Sequence, residues 1–179
     1  MKKQSDNRQI DEEIFSKIAN GDDEAFTELY YATYRQIYGF LLSLTKNKED
    51  AEDLLQNTYI RIRNGARLYK KPGTPMAWMC TIAKNQYLDY VRKYGKYQGI
   101  DYELVENQMP YSIISDTDNR LVLQAAFEHL SEDERTIVIM HLVNGLKHRE
   151  IAQIVNIPLS TVLSKYNRSL KKMRVYLEG

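Results

Sequence analysis

Cysteine is almost missing from this chain of 179 residues: Cys80 stands alone. No intramolecular disulfide framework can staple the fold, and one thiol beside three histidines does not make a dedicated structural zinc site. Long hydrophobic runs are missing too. No stretch approaches the ~18–20 consecutive apolar residues of a membrane span. The polar start MKKQSDNRQI has no apolar run behind it of the kind a secretory signal carries. The expectation is a cytoplasmic protein with no membrane span. Glycine (8) and proline (4) are few, and the β-branched residues do not alternate with period 2, which argues against strands and for helices throughout. There is no P-loop and no Ser/His/Asp set, and His129, His141 and His148 are too dispersed to form a ligand trio. The expectation is a non-enzymatic protein that needs no cofactor or metal.

What is present is a foldable chain with sorted charge. Apolar residues make up 43% and charged residues 27%, enough to build real cores in one domain or two small ones. The net charge of +1 conceals blocks of alternating sign. Residues 11–58 hold 11 acids against 4 bases and residues 59–98 hold 9 bases against 1 acid. Residues 99–134 then hold 9 acids against 1 base, and residues 135–179 hold 8 bases against 2 acids. This alternation suggests two basic surfaces, each paired with an acidic segment.

Hydrophobic spacing places the helices. After Asp22 and Asp23, either of which can cap a helix, Phe26, Leu29, Tyr30, Tyr34, Ile37, Tyr38, Leu41 and Leu42 follow i, i+3, i+4 spacing. A second helix starts after Asn47, with Glu49, Asp50, Glu52 and Asp53 at the positive end of its dipole and Ala51, Leu54, Leu55, Tyr59 and Ile62 on its apolar face. Residues 69–75 read as a loop. Thr74 as N-cap and Pro75 at the first helical position open a third long helix through Met76, Met79, Ile82, Ala83, Tyr87, Tyr90 and Val91. From about Gly95 to Thr117 the period fails, and the acidic stretch reads as a flexible linker. A second helical unit begins near Asp118. Within it Ser131-Glu-Asp-Glu134 is a capping box, and the helix it opens stops at Gly145. Helices over 148–155 and about 160–176 follow, split by Asn156-Ile157-Pro158. The expected fold is all-α: two small helical domains, residues 10–97 and 118–177, joined by a linker over 98–117.

The C-terminal pair reads as a helix-turn-helix. Ile151, Ala152 and Val155 face inward from its first helix, and Val162, Tyr166 and Leu170 from its second. Ser160, Thr161, Ser164, Asn167 and Arg168 are then left for a DNA groove, Leu163 for a thymine methyl, and Lys165, Arg168, Lys171, Lys172 and Arg174 for flanking phosphates. A plain helical hairpin fits the same pattern. The N-terminal basic block interleaves Lys70, Lys71, Lys84, Arg92 and Lys93 with Tyr69, Trp78, Tyr87, Tyr90, Tyr94 and Tyr97, and Arg67 and Asn85 are further candidate nucleic-acid contacts. Cations bring phosphates near, and aromatic faces stack on unpaired bases. Trp78 at helical spacing reads as core. Tyr69 in the loop is the better base contact, and the loop 67–74 is the expected pocket for a base taken out of the stack. The acidic face of the second helix suits a basic partner, or is a capped surface helix whose acids serve its own N-terminus. From these residues alone a free-standing helix-turn-helix activator and a helical adaptor protein both remain open.

Three segments in order carry a family resemblance. Asp50-Ala-Glu-Asp-Leu-Leu-Gln-Asn-Thr-Tyr59 resembles the DAEDLxQxxF signature of bacterial extracytoplasmic-function (ECF) sigma factors. Ala77-Trp-Met-Cys-Thr-Ile-Ala-Lys-Asn85, with Asp89 and Arg92-Lys93, is similar to their AWLxxIAxNxxxDxxR pattern, and residues 146–172 look like their region 4.2. Arg63, near a position often aromatic in the family, and Lys147-His148, where Ser-Tyr is common, depart from the pattern. The resemblance implies a sigma factor that binds core RNA polymerase through its β′ clamp helices and β flap and directs initiation at promoter DNA. Asp50, Glu52, Asp53, Leu54 and Gln56 are the implied polymerase contacts. The second segment and its loop would melt and read the −10 element, and the helix-turn-helix would read the −35 element. An anti-sigma factor is a possible further partner.

Overall fold

The computed structural model describes residues 10–70, 74–94 and 126–178. The expected linker 98–117, the start of the second helical unit and Lys71 lie outside the described residues. Seven α-helices are named here: α1 (Glu13–Ala19), α2 (Asp23–Thr45), α3 (Lys48–Gly65), α4 (Pro75–Tyr94), α5 (Glu132–Leu142), α6 (His148–Val155) and α7 (Leu159–Glu178). A 3-10 turn covers Ala66–Leu68, residues 126–128 are helical, and no strand occurs among the described residues.

The helix starts follow the caps read from the sequence. The Asp22 carboxylate accepts the N–H of Ala25 at 2.9 Å, and the Asn47 side chain accepts that of Asp50 at 3.1 Å. At α5 the Ser131 hydroxyl accepts the N–H of Glu134 (3.3 Å) while the Glu134 carboxylate accepts that of Ser131 (2.9 Å). Each such cap satisfies a donor that the helix itself cannot pair, worth about 1 kcal/mol. Between α5 and α6 the chain turns through Gly145 at φ +68°, a left-handed conformation that a Cβ would strain. Asn156 ends α6 at φ +56°, where asparagine is among the better tolerated non-glycine residues. Helix α1 lies ahead of the first helix placed by the spacing, and its Ile14, Phe15 and Ile18 have helical spacing and are buried.

The N-terminal half packs α2, α3 and α4 together around Leu29, Ile37, Phe40, Leu41, Ile62 and Met79, all fully enclosed. Each contributes about 1.5–3 kcal/mol by leaving water. Inside this core the Thr33 hydroxyl donates to the Leu29 carbonyl (2.7 Å) and thereby receives the Tyr59 O–H, also at 2.7 Å. Tyr59 stands where the signature has phenylalanine, and Thr33 supplies the partner its hydroxyl needs. Tyr59→Phe is expected to lower stability by about 1 kcal/mol through loss of this bond, read as a lower urea midpoint at unchanged slope. Arg63, the other departure in this helix, lies 5.4 Å from the Phe26 ring centre and pairs with Asp23.

In the C-terminal half α7 turns Val162, Ser169 and Met173 inward, with Tyr166 partly buried. Leu170, expected inward, is instead exposed. The true period runs 162, 166, 169, 173, so Ser169 takes the inward place and bonds the Lys165 carbonyl at 2.8 Å. Helices α5 and α6 lie on α2 and α4, and Ile137, Met140, Leu146 and Ile151 join the apolar core of the N-terminal half.

Candidate nucleic-acid and polymerase interface

On α3 the helical period divides the signature between two faces. Ala51, Leu54, Leu55, Thr58, Tyr59 and Ile62 face the core, which makes Leu54 a buried packing residue. Glu52, Asp53 and Gln56 are exposed together and Asp50 is partly so. Lys48 lies 3.8 Å from Glu52, an exposed i, i+4 pair worth a few tenths of a kcal/mol, so the face stays acidic.

The N-terminal basic block divides in the same way. Arg67 donates to the Ala19 carbonyl at 3.3 Å, which ties the 3-10 turn to α1. The Tyr69 ring stacks on Phe15 (4.3 Å between centres) and meets Trp78 edge-on (5.6 Å). Tyr69 is thus held in an aromatic cluster built by α1, the element the sequence reading lacked. A cleft of about 450 Å³ opens beside it, lined by Phe15, Ser16, Ala19, Asn20, Arg67 and Tyr69 among others. Lys70 is exposed at the mouth of the loop. Along α4, Asn85, Arg92 and Lys93 are exposed, and Asp89 sits 3.0 Å from Arg92 and 3.9 Å from Arg61. Lys84 points elsewhere: its ammonium donates to the Ile154 carbonyl at 2.8 Å, and burial holds its pKa below the ordinary lysine value.

On α7, Ser160, Leu163, Ser164, Asn167, Arg168 and Lys171 are exposed and Thr161 partly so, a continuous outward face. Lys165 and Lys172 are tied back to the start of α5, Lys165 to Asp133 and Lys172 to Glu134 at 2.7 Å. Part of the last acidic block therefore clasps the last basic one. Burial alone would raise the Glu134 carboxyl, but the bonds from Lys172 and Ser131 outweigh it and the net shift is downward. Among the described residues no His/Cys/Asp/Glu group could hold a metal ion, and no helix is long and apolar enough to cross a membrane.

Behind the helix-turn-helix, the His141 and His148 rings stack at 4.2 Å with Tyr166 edge-on to both. His141 Nδ1 donates to the Leu146 carbonyl at 2.8 Å, whereas His148 Nε2 is enclosed without a partner. Burial, and then the neighbouring His141, lower the His148 pKa. Below the ordinary histidine range near about 6.5, the unfolded chain takes up a proton that the folded chain resists. Stability is therefore complete above that range and is lost as pH falls through the depressed value. Thermal melts between pH 7.5 and 5 are expected to show this acid destabilisation, with a shallower slope in His148→Phe. An unchanged slope would remove the pair as its source.

Helices α3 and α4, and most of α7, fall within two family matches. Residues 29–97 match the family described as Sigma-70 region 2 and residues 120–173 match Sigma-70, region 4. The chain is 33% identical over 168 residues to the ECF RNA polymerase sigma factor SigE of Mycolicibacterium smegmatis. This chain belongs to the ECF sigma factors. It is a promoter-directing sigma factor, of a family that initiates transcription without being enzymes. The alignment with SigE takes in 89% of this chain and 65% of the relative. SigX of Bacillus subtilis is 26% identical over 165 residues, 87% of this chain and 85% of that one. Among solved structures, CnrH in complex with the cytosolic domain of CnrY has a TM-score of 0.64 at 15% identity, covering 94% of this chain and 97% of that one. RpoE of Bartonella quintana, with the anti-sigma factor NepR, has 0.62 at 20% identity, covering 87% and 98%. At these identities the two structures speak for the fold.

Proposed function

We propose that this sigma factor divides its work among three surfaces. The exposed acidic face of α3 (Asp50, Glu52, Asp53, Gln56) grips the β′ clamp helices of core RNA polymerase, and the C-terminal domain meets the β flap. Arg67, Tyr69, Lys70 and Lys71, with Asn85, Arg92 and Lys93 and also Lys84 once it is freed, read the −10 element as it opens. The cleft beside Tyr69 has room for an unstacked base, whose displacement from the duplex costs a few kcal/mol. The outward face of α7 (Ser160, Thr161, Leu163, Ser164, Asn167, Arg168) enters the −35 major groove, and Lys171 neutralises flanking phosphate, joined by Lys165 and Lys172. The observation that carries this reading is the segregation of side chains on three helices. On each, the apolar period is spent on the core and the implied polar contacts, except Lys84, Lys165 and Lys172, point outward unpaired with the core. An anti-sigma factor is a further partner, consistent with the structural neighbour RpoE, which was solved with the anti-sigma factor NepR.

The test is run-off transcription with purified core enzyme over a promoter library, followed by variants of the two readers. Arg168→Ala is expected to weaken −35 recognition by about 1–3 kcal/mol, with loss at closed-complex formation. Asn85→Ala is expected to spare duplex binding and impair opening, read as weaker permanganate reactivity of unpaired thymines, and a pre-melted −10 template should restore part of it. Asn85 is the cleaner probe because Tyr69→Ala would also dismantle the Phe15–Trp78 cluster. Wild-type thymine reactivity in Asn85→Ala, with Arg92 and Lys93 variants equally silent, would move the melting surface off α4.

A further inference from the structure

Lys147-His148 is a departure from the family pattern to which the three surfaces give no task. The His148 ring sits in the first turn of α6, the leading helix of the helix-turn-helix, and stacks on His141 of α5. Tyr166 of α7 meets both rings edge-on, 4.6 Å from the centre of His148 and 4.8 Å from that of His141. Helices α5, α6 and α7 thus converge on one small aromatic contact. Tyr166 lies on the inner side of α7, and its neighbours Ser164, Asn167 and Arg168 are exposed on the outward face. In a close-packed interior a side chain so placed transmits its position to the helix that carries it. Whatever holds Tyr166 therefore sets how α7 presents that face.

The contact suits a neutral His148. The His141 ring is anchored by its bond to the Leu146 carbonyl, but His148 Nε2 is enclosed with no acceptor. A proton placed there makes a buried N–H that nothing accepts. It also sets a cation against His141 and at the positive end of the α6 dipole. The charged groups on the surrounding helices give it no relief. On α6 itself Lys147 and Arg149 flank it with positive charge. The Glu150 carboxylate already accepts the N–H of Lys147 (2.8 Å) and both the N–H (3.2 Å) and the hydroxyl (2.9 Å) of Thr74 ahead of α4. On α5, Glu132, Asp133 and Glu134 are paired with Lys46, Lys165 and Lys172, the last two from α7. From α4 come Lys84, held on the Ile154 carbonyl, and Cys80, whose thiol is pushed up to about 12 and stays neutral. Only part of the His148 ring is buried, so the protonated ring relieves its charge by turning out to water. It then gives up the stack on His141 and the edge of Tyr166 together.

We propose that His148 is a positioning residue for −35 recognition: the neutral ring holds Tyr166 and with it the outward face of α7, and its protonation releases that face, so that −35 binding weakens in mild acid while the chain stays folded. This rests on the three-surface reading above. The test compares wild type with His148→Phe, which keeps the aromatic contact and cannot take up a proton, each assembled with purified core polymerase. Closed-complex formation is measured from pH 7.5 to 5.5 on a duplex promoter drawn from the run-off library and on the same duplex with its −35 element scrambled. Titration of the core enzyme is common to both proteins and cancels in their ratio. The two should bind equally at pH 7.5. By pH 5.5 the −35-dependent binding of the wild type should fall by about threefold or more relative to His148→Phe, with circular dichroism unchanged. A second measurement needs only the wild-type chain: in an NMR titration the amide signals of Asn167 and Arg168 should move with the midpoint of the His148 ring. Parallel pH profiles for the two holoenzymes would overturn the proposal, as would Asn167 and Arg168 signals indifferent to that midpoint. Tighter binding in acid would overturn it too, since the charged ring would then be a phosphate contact. Binding indifferent to the scrambled −35 element at pH 7.5 in both proteins would instead count against the three-surface reading, and the NMR titration would still decide whether His148 moves α7.

Discussion

Reversing the acidic face of α3 with Asp53→Arg and removing the adjacent amide with Gln56→Ala is expected to weaken association with core polymerase about 100-fold, or about 2.7 kcal/mol. Both side chains are exposed on a helix whose other face is spent on the core, so nothing in the folded chain loses a buried partner and helical content should be unchanged. The size of the effect comes from putting a cation where the proposed partner surface is basic. Like charges brought together at an interface cost several kcal/mol, more than the modest attraction they replace. Circular dichroism and a pull-down or interferometry assay with core enzyme measure the two halves of the claim. Wild-type affinity would take this face out of the interface and assign the acids to the helix dipole alone. Leu54 serves as the contrasting case: Leu54→Ala should act through stability, by about 2–4 kcal/mol, because the residue is 5% exposed.

The largest loss of stability in the C-terminal domain is expected from Glu134→Ala, about 3 kcal/mol. Its carboxylate accepts from the Ser131 N–H and from Lys172 while being only 3% exposed. Truncation removes half of the capping box, worth about 1 kcal/mol. It also takes the side-chain acceptor from the Ser131 N–H and the counter-charge from Lys172. Lys172 retains partial access to water, which limits the second contribution. Glu134→Gln keeps an acceptor for Ser131 and should lose only about 1 kcal/mol. Because the folded carboxyl titrates below its ordinary value, its stabilisation is complete above the ordinary carboxylate range and disappears as pH falls through the depressed value. Denaturant melts at pH 7 separate the two variants, and in acid only the wild type should lose this stabilisation. Equal loss in both would mean the ion pair, not the cap, holds α5 to α7. Since Lys165 and Lys172 are both anchored on the first turn of α5, Glu134→Ala should also blur −35 recognition by freeing the reader helix.

Much of this protein is legible without a structure because its determinants are local. Asp22, Asn47, Thr74 and Ser131 cap helices through bonds that span three residues, and apolar spacing specifies which face of α2, α3 and α4 turns inward. The surfaces on α3 and α7 follow as what remains after that face is assigned. Family order adds what three short motifs in sequence imply and no single one does.

Where the structure departs from local spacing, a partner distant in sequence decides the outcome. Leu170 satisfies an apolar period, yet α7 settles with Ser169 inward because the rotation of a helix is set by the neighbours it packs on. Tyr69 stands beside a loop, but α1, some 50 residues earlier, supplies Phe15 to stack on it. Lys84, Lys165 and Lys172 read as free cations, and each finds its acceptor 32 to 70 positions away. Glu150 carried no signal beyond a helix N-terminus; only the docking of α6 on α4 gives its carboxylate a second helix to cap. Local hydrogen bonds and periodicity determined the helices and their exposed faces, whereas the packing of those helices, through contacts with no trace in local spacing, decided which charged groups are held and which are left to meet a partner.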